Sequence, residues 1–423
     1  AAADANGDGR PDLVVANYSG NTVSVLFNTT APGATSVSFS AQKSFATGSQ
    51  PYCVGATDLN GDGKPDLVAS NVGSNSVSVL LNTTVPGAAT PSFADQQTFA
   101  TESQPYCVAA ADVNGDGATD LLTANIASNS VSVLLNTTVT GTTSLGFAAE
   151  QDFATLNAPR GVATADVNGD GRADVIATCS GVGYASVLLN TTAAGATAPS
   201  FASQLGFAVG TNPQAVAMAD MNGDGRPDML VGAPGGLAVR LNTTAPGAST
   251  PSFGSLQQTA VGSNTLSLVV TDLNGDGKAD VIVANNSHAQ VTVVLNTIAP
   301  GATTTSFSAP RAFATGANPE AVIATDLNGD GRPDVVATNS TDSTFSVLIN
   351  TTATGASLPS FAAQTAFPSG GSGLPTMAAA ADINGDGKPD LIVGNSGNGL
   401  AVRLNTTPTG AATPSFTTPQ LFT

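Results

Sequence analysis

The chain has 423 residues, of which 10% are charged and 41% are hydrophobic, and its formal net charge is −18. Acidic residues outnumber basic ones 30 to 12, which argues against binding nucleic-acid phosphates or anionic membranes. No apolar run approaches ~18 residues, so direct membrane insertion by a helix is excluded. Val, Thr, Asn and the 46 glycines dominate over the good helix formers, which predicts an all-β fold rich in turns.

The sequence repeats itself from end to end. The pattern Asp-x-Asn-Gly-Asp-Gly-x-x-Asp occurs eight times at intervals of 52 to 56 residues, most often 54. Eight such units account for nearly the whole chain, so we expect residues 1–423 to form a single domain of eight repeats. The copies begin at Asp4, Asp58, Asp112, Asp166, Asp220, Asp272, Asp326 and Asp382.

Each repeat contains four short segments that are typical of strands. In the second repeat they are residues 51–58, 66–71, 76–82 and 92–100, which are apolar runs bounded by Gly, Asn and Pro. Four strands in each of eight units predict an eight-bladed β-propeller of four-stranded antiparallel blades, in which neighbouring blades bury one another's faces. Two alternatives stay open: seven blades plus an extra repeat, and an open stack of repeats.

A pair of phenylalanines recurs in the fourth predicted strand. In the second repeat these are Phe93 and Phe99, and their even spacing predicts that both rings lie on one face of the strand. Thr259 replaces the second ring of the fifth repeat. Because these positions take 15 of the 17 phenylalanines, we expect them to join adjacent sheets rather than to stack on a ligand.

The acidic pattern itself predicts a metal site. Oxygen-bearing side chains fall at its positions 1, 3, 5 and 9, and glycines at positions 4 and 6 allow a tight turn that directs these oxygens inward. Position 7 adds a backbone carbonyl, as in the first part of an EF-hand loop. Oxygen ligands without His or Cys disfavour Zn, Cu and Fe, and Mg²⁺ prefers to keep its waters, so Ca²⁺ is the expected ion.

All eight loops retain every predicted ligand. They hold 24 of the 30 acidic residues, and eight divalent ions would bring the net charge from −18 to about −2. The predicted ligands, in which position 7 contributes only its carbonyl, are Asp4, Asn6, Asp8, Arg10 and Asp12; Asp58, Asn60, Asp62, Lys64 and Asp66; Asp112, Asn114, Asp116, Ala118 and Asp120; Asp166, Asn168, Asp170, Arg172 and Asp174; Asp220, Asn222, Asp224, Arg226 and Asp228; Asp272, Asn274, Asp276, Lys278 and Asp280; Asp326, Asn328, Asp330, Arg332 and Asp334; and Asp382, Asn384, Asp386, Lys388 and Asp390.

These units resemble the FG-GAP/VCBS repeats found in integrin-α-type propellers and in many bacterial surface and secreted proteins. The resemblance covers essentially the whole chain and rests on the acidic loop. The Phe-Gly and Gly-Ala-Pro sequences of the family name are present at Phe253–Gly254 and at Gly232–Ala233–Pro234. The resemblance implies a propeller in which the calcium loop joins the first two strands of each blade.

Motifs for catalysis are missing from the sequence. It contains no GxSxG, HExxH or P-loop pattern, and His288 is its only histidine, so we expect no enzymatic activity. A calcium-dependent polysaccharide lyase is the alternative, with Arg240 and Arg403 as its candidate residues because the other repeats have apolar residues there. A lectin would need aromatic platforms, for which Tyr52 and Tyr106 of adjacent repeats are the candidates, since the chain has no Trp.

Two further patterns have a structural and a functional interpretation. Cys53 and Cys107 occupy the same place in two copies of Pro-Tyr-Cys-Val, and Cys179 stands alone. We expect three small buried side chains, with a Cys53–Cys107 disulfide as the alternative. The word Asn-Thr-Thr matches the N-glycosylation acceptor, but its place in the repeat favours a structural role at the end of the third strand. It begins at Asn28, Asn82, Asn136, Asn190, Asn242, Asn350 and Asn405, whereas Asn296 is followed by Thr-Ile.

Together these features predict an extracellular, calcium-stabilised scaffold for binding or adhesion. We expect a protein, matrix or glycan ligand and no nucleic acid. Because the chain begins at Ala1 rather than Met, we expect one module or a processed form of a larger surface or secreted protein. A self-assembling subunit of an extracellular fibre or sheath is the second interpretation, and a calcium-dependent lyase or lectin is the third.

Overall fold

The chain forms eight four-stranded antiparallel sheets in a computed structural model that describes residues 1–371, 373–397 and 399–422. Each sheet takes four consecutive strands, so strands adjacent in sequence are adjacent in the sheet. The predicted all-β fold, an eight-bladed β-propeller with four antiparallel strands in each blade, is confirmed. Among the described residues no helix is long and apolar enough to cross a membrane.

The first four sheets contain the strands β1 to β16. They are β1 (Ala2–Ala3), β2 (Asp12–Asn17), β3 (Thr22–Leu26) and β4 (Lys43–Ala46); β5 (Pro51–Thr57), β6 (Asp66–Asn71), β7 (Ser76–Leu80) and β8 (Gln97–Ala100); β9 (Pro105–Ala111), β10 (Asp120–Asn125), β11 (Ser130–Leu134) and β12 (Gln151–Ala154); and β13 (Pro159–Ala165), β14 (Asp174–Cys179), β15 (Tyr184–Leu188) and β16 (Leu205–Ala208).

The other four sheets contain the strands β17 to β32. They are β17 (Ala215–Ala219), β18 (Asp228–Ala233), β19 (Gly236–Arg240) and β20 (Gln257–Thr259); β21 (Thr265–Thr271), β22 (Asp280–Asn285), β23 (Gln290–Val294) and β24 (Arg311–Ala314); β25 (Pro319–Thr325), β26 (Asp334–Asn339), β27 (Thr344–Leu348) and β28 (Thr365–Pro368); and β29 (Pro375–Ala381), β30 (Asp390–Asn395), β31 (Gly399–Arg403) and β32 (Gln420–Phe422).

The chain divides into two compact units with four sheets in each. Unit 1 contains β1 to β16 together with a loop of the fifth repeat, and unit 2 contains β17 to β32 together with a loop of the first repeat. Unit 1 consists of Ala1–Thr29, Phe39–Asn212 and Thr243–Phe253. Unit 2 consists of Thr30–Ser38, Pro213–Asn242 and the chain from Gly254 onward.

The hydrophobic core lies between consecutive sheets of a unit. Leu67 and Ala69 of β6 belong to the cluster shared with the first sheet, whereas Val68 between them belongs to the cluster shared with the third sheet. This alternation is the two-residue period of a strand, and it explains why β6 is apolar throughout. A leucine that is fully buried in this way contributes about 2 kcal/mol.

The recurring phenylalanines join adjacent sheets, as predicted. The second ring of one repeat packs edge-to-face on the first ring of the next, with centroids 5.1 Å apart for Phe45 and Phe93 and 4.7 Å apart for Phe99 and Phe147. The same arrangement joins Phe153 to Phe201, Phe207 to Phe253, Phe313 to Phe361 and Phe367 to Phe416.

The expectation that both rings of a repeat lie on one face of a strand is wrong. Phe93 packs towards the first sheet and Phe99 towards the third. The reason is that the fourth strand is shorter than the sequence suggested, since β8 covers only Gln97–Ala100. Phe93 pairs with Asn82 in an isolated bridge, and the irregular segment between the two rings breaks the alternation.

We expect Phe153→Ala to lower the free energy of unfolding by about 2–4 kcal/mol, because the variant loses the edge-to-face contact with Phe201 and leaves a cavity between two sheets. Urea denaturation measures the change. Tyr184→Ala, which removes a ring that is 39% exposed, is the control and should shift the midpoint little. Equal shifts for the two variants would contradict the role of the Phe pairs.

Candidate metal centre in the acidic loops

Each acidic loop connects the first two strands of its sheet, as the resemblance implied. In the second repeat it runs from the end of β5 at Thr57 to the start of β6 at Asp66. Gly61 and Gly63 have φ values of 68° and 82°, which side-chain-bearing residues rarely adopt. The glycines at these two positions have positive φ in all eight loops, so the predicted tight turn is confirmed.

The side-chain oxygens at positions 1, 3 and 5 wrap the loop by accepting its own backbone amides. The Asp58 carboxylate accepts hydrogen bonds from the amides of residues 61–63 at 2.7–3.2 Å. Asn60 Oδ1 accepts the amide of Asp62 at 3.2 Å, and Asp62 Oδ1 accepts the amide of Lys64 at 3.0 Å. These bonds hold the three oxygen-bearing side chains in one compact turn.

In seven of the eight repeats a basic residue at position 7 offsets part of the negative charge of the loop, and the third repeat has Ala118 there. In five repeats its side chain forms an ion pair with the Asp at position 5, at distances of 2.5–3.6 Å. Lys278 and Lys388 instead donate to the carbonyls of Ile298 and Thr407, both at 2.8 Å. Exposed pairs of this kind contribute at most about 1 kcal/mol each to stability. Each loop has three Asp and at most one basic residue at position 7, so its net charge stays negative.

The Asp at position 9 is fully buried in every repeat. In the first repeat the two oxygens of Asp12 accept the amides of Ala5 and Asn28 at 2.8 and 2.7 Å. Burial raises the pKa of Asp12 to about 6, and the nearby carboxylates of Asp8 and Asp4 add to the shift. Burial raises the pKa of each of the other seven to about 6 as well. The sequence did not reveal that this carboxylate ties the loop to the end of the third strand.

The donor set of the loop suits a hard divalent cation, because every predicted ligand is an oxygen. In the part of the chain that the structure describes, however, no three Asp, Glu, His or Cys side chains come together as a metal-binding group. The hydrogen bonds explain this, since the carboxylate at position 9 accepts two backbone amides, one at position 2 of the loop and one just after the third strand. The chemistry of the residues therefore fits calcium, and the ligand sets stay a prediction.

Each acidic loop is also held by the turn of a neighbouring repeat, an arrangement that we call the loop clamp. Asn60 Nδ2 donates to the carbonyl of Thr142 at 3.0 Å, and the Asn60 carbonyl accepts the amide of Gly141 at 2.6 Å. Within unit 2, the eighth loop forms the same pair of bonds, from Asn384 to Ala34 and from Gly33 to Asn384. The two bonds recur at all eight loops, at 2.9–3.2 Å and 2.6–2.8 Å.

The Asn of the Asn-Thr-Thr sequence forms further hydrogen bonds at the contact between repeats, which we call the joint. Asn82 Nδ2 donates to the carbonyls of Ala5 and Pro65 at 2.7 and 3.1 Å, and its Oδ1 accepts the amide of Thr84. Both of its N–H groups are therefore bonded in a side chain that is only 2% exposed. Asn296, which lies outside any glycosylation pattern, makes the corresponding inter-repeat bond at 2.7 Å. The predicted structural role of this Asn is confirmed.

The residues considered for lyase chemistry have structural partners. Arg403 is 5% exposed, donates to two backbone carbonyls, and lies 5.7 Å from the centre of the Phe345 ring. Arg240 is half-buried and donates to a backbone carbonyl at 2.6 Å. His288 Nδ1 lies 3.2 Å from the hydroxyl of Ser263 on the surface. Burial keeps Arg403 from contacting a polysaccharide.

Three of the four tyrosines form one row in unit 1, which we call the aromatic row; Tyr18 and Tyr52 are exposed and Tyr106 is half-buried. The ring centroids of Tyr18 and Tyr52 are 6.4 Å apart, and those of Tyr52 and Tyr106 are 4.1 Å apart. The guanidinium of Arg160 lies 5.5 Å from the centre of the Tyr106 ring. Tyr18 and Tyr52 are 45% and 48% exposed, so the row presents aromatic edges and hydroxyls to solvent.

The three cysteines are free thiols, and the Cys53–Cys107 disulfide is not formed in this structure. Cys179 is buried and contacts the hydroxyl of Ser186, as expected of a small core residue. Cys53 and Cys107 are only half-buried, so the expectation of three buried cysteines is correct for Cys179 alone.

The fold and the loops define a repeat propeller with one oxygen-rich turn in each blade, and family comparison agrees. The FG-GAP-like repeat matches residues 4–69, 58–123, 112–177, 272–337 and 326–393, and the FG-GAP repeat matches residues 212–250 and 376–413. The chain therefore belongs to the FG-GAP repeat family. A search of the curated proteins found none that matches it.

Several solved structures are similar to this chain at low sequence identity, and one of them, with a TM-score above 0.5, shares the fold. The dihydro-heme d1 dehydrogenase NirN is 12% identical over 100% of this chain and 74% of its own, with a TM-score of 0.58. An Agrocybe aegerita lectin that recognises non-reducing terminal N-acetylglucosamine is 18% identical over 84% of this chain and 91% of its own, with a TM-score of 0.49. The V. cholerae biofilm matrix protein Bap1 is 12% identical over 95% and 83%, with a TM-score of 0.42.

We expect Asn136→Ala to lower the free energy of unfolding by about 2–4 kcal/mol, because it leaves buried backbone groups without partners. Asn136 donates to the carbonyls of Leu59 and Thr119 and accepts the amide of Thr138. Urea denaturation measures the loss. Thr143→Ala, at an exposed position of the same repeat, is the matched control and should behave like the unmodified chain. An unchanged midpoint for the Asn136 variant would show that the joint does not depend on this side chain.

Proposed function

We propose that this protein is an extracellular, calcium-stabilised binding scaffold. The observation that carries the proposal is the double use of the acidic loop, which presents only oxygen ligands and also holds the turn of a neighbouring repeat through the loop clamp. In the second repeat an ion would be held by Asp58, Asn60, Asp62 and Asp66 with the carbonyl of Lys64. Asn60 is the residue that bonds to the neighbouring repeat, so ordering this loop also orders the joint.

The charge of the loops supports this role. A bound calcium ion would supply two positive charges to a loop that carries three carboxylates, and it would reduce their mutual repulsion. Extracellular calcium sites bind with Kd of about 10⁻⁴–10⁻³ M, which is far above cytosolic calcium concentrations. Sites of this strength would be filled only outside the cell, and this is the reason for assigning the protein to the cell surface or the secreted fraction.

A binding role is favoured over catalysis because the charged residues have structural partners. Arg403 is buried among aromatic rings, and the loop carboxylates accept backbone amides. A surface built from rigid repeated sheets and exposed loops suits recognition of an external partner.

We expect calcium to raise the thermal midpoint of chelator-treated protein and EDTA to reverse the rise. Each site that is filled at tenfold excess over its Kd adds about 1.4 kcal/mol. Calorimetric titration with Ca²⁺ should give about eight ions per chain, matching the eight loops.

Asp112→Asn tests one loop, and it should lower the stoichiometry by one ion while the protein stays folded. Asp152→Asn removes the same charge from an exposed position outside the loops, so it controls for net charge and should leave the stoichiometry unchanged. Identical melting curves in calcium and in EDTA, with no heat of binding, would rule out the calcium part of the proposal.

A lectin is the second candidate function, and the aromatic row favours it. Tyrosine rings supply rigid contact area with a polar hydroxyl, and Arg160 places a hydrogen-bond donor at the end of the row. A glycan chain is the class of ligand whose rings and hydroxyls match such a surface.

We expect the calcium-loaded protein to bind glycans on an array, and we expect Tyr52→Ala to weaken that binding on the order of tenfold, as loss of an aromatic anchor does. Tyr184→Ala removes an exposed tyrosine outside the row and should leave the binding unchanged. Equal losses for the two variants would remove the row as the site. Release of unsaturated sugars from bound polysaccharide would instead identify a lyase.

A further inference from the structure

The second and third repeats share a local sequence that the other repeats lack. Both begin their first strand with Pro-Tyr-Cys-Val, at Pro51 in β5 and at Pro105 in β9. At the position of the cysteine the later repeats carry Gly161, Ala215, Ser267, Ala321 and Met377. The two thiols therefore lie in consecutive repeats, on either side of the contact between the second and third sheets.

The structure brings these two strands into contact at consecutive positions. The rings of Tyr52 and Tyr106 lie 4.1 Å apart, and their hydroxyls are hydrogen-bonded. Cys53 and Cys107 are the next residues of these two strands, and each thiol shifts the pKa of the other. Both strands belong to unit 1, and both thiols are half-buried, so a small oxidant can reach them.

We propose that Cys53 and Cys107 are a disulfide-forming pair that covalently links the second and third sheets under oxidising conditions. The pair joins β5 to β9, whose sheets are already connected by the loop clamp of Asn60 with Gly141. The oxidant is a small-molecule disulfide such as oxidised glutathione.

The reaction proceeds by two exchanges that balance. The Cys53 thiolate attacks oxidised glutathione, forming a mixed disulfide and releasing one glutathione thiolate. The Cys107 sulfur then attacks Cys53 of that mixed disulfide, which forms the protein disulfide and releases the second glutathione thiolate. The two protein thiols lose two protons and two electrons, the electrons reduce the glutathione disulfide to two thiols, and the protons pass to those thiols or to solvent.

The environment assigns the two sulfurs different roles. The neighbouring Cys107 thiol lowers the pKa of Cys53, so Cys53 is the more readily ionised of the two sulfurs and is the attacking group. The same contact raises the pKa of Cys107, which stays protonated until the mixed disulfide has formed. Buried Cys179, beside Ser186 in the fourth sheet, has no thiol partner among the described residues.

The test uses the full chain in its folded state, which is incubated at pH 8 with oxidised glutathione. The protein is then denatured, its remaining thiols are alkylated, and its mass is measured by mass spectrometry. We expect the mass to fall by two hydrogen atoms, and we expect one alkylated cysteine where the reduced chain shows three. Peptide mapping should place the bond between Cys53 and Cys107. The bond closes a long loop in the unfolded chain, so the oxidised protein should melt on the order of 5 °C higher, and a thiol reductant should reverse this rise.

Variants separate the two steps. Cys107→Ser should stop after the first exchange and retain one glutathione on Cys53, whereas Cys53→Ser should react far more slowly. Cys179→Ser is the matched control and should still lose two hydrogen atoms. Three alkylated cysteines after prolonged oxidation would overturn the proposal, as would a stable glutathione adduct on the unmodified chain or a disulfide between two chains.

Discussion

The loop clamp is the interaction on which the rest of the structure depends. Apolar packing between consecutive sheets supplies most of the favourable free energy, but it tolerates small shifts because many aliphatic contacts are interchangeable. The two hydrogen bonds between each position-3 asparagine and the turn of a neighbouring repeat are directional, and they fix where that repeat lies. The buried asparagine after the third strand adds a third bond at the same joint. Packing therefore holds the sheets together, while these bonds set their register.

The same loops concentrate the charge of the protein. Each one carries carboxylates at positions 1, 5 and 9, and the last of these is fully buried with its pKa raised by desolvation. Position-7 cations and backbone amides compensate only part of this charge. Retaining so much unfavourable charge in every repeat makes sense when a cation is supplied from outside, and this is why the calcium proposal follows from the electrostatics as well as from the pattern.

The repeat length and the apolar runs were sufficient to predict four strands in each unit and eight blades, because they reflect properties of the local chain. Features that involve partners in other repeats were harder to predict. Phe93 and Phe99 contact opposite neighbours, which the even spacing concealed because the strand between them is interrupted. The hydrogen-bond partners of Asp12 and Asn82 were not predicted either, because they lie in a different strand or repeat. A tandem sequence offers an equivalent partner at every period, so it does not indicate which copy is contacted.

The uniformity of the joints has an evolutionary consequence. Every loop uses one asparagine and one glycine turn of a neighbouring repeat, with nearly constant bond lengths. An unequal crossover in the gene that adds or removes one whole unit would recreate the same joint at the new boundary. Changes in copy number would thus be tolerated far better than insertions within a unit, whereas the Cys53–Cys107 pair, which needs two particular copies side by side, would be lost if a new unit were inserted between them.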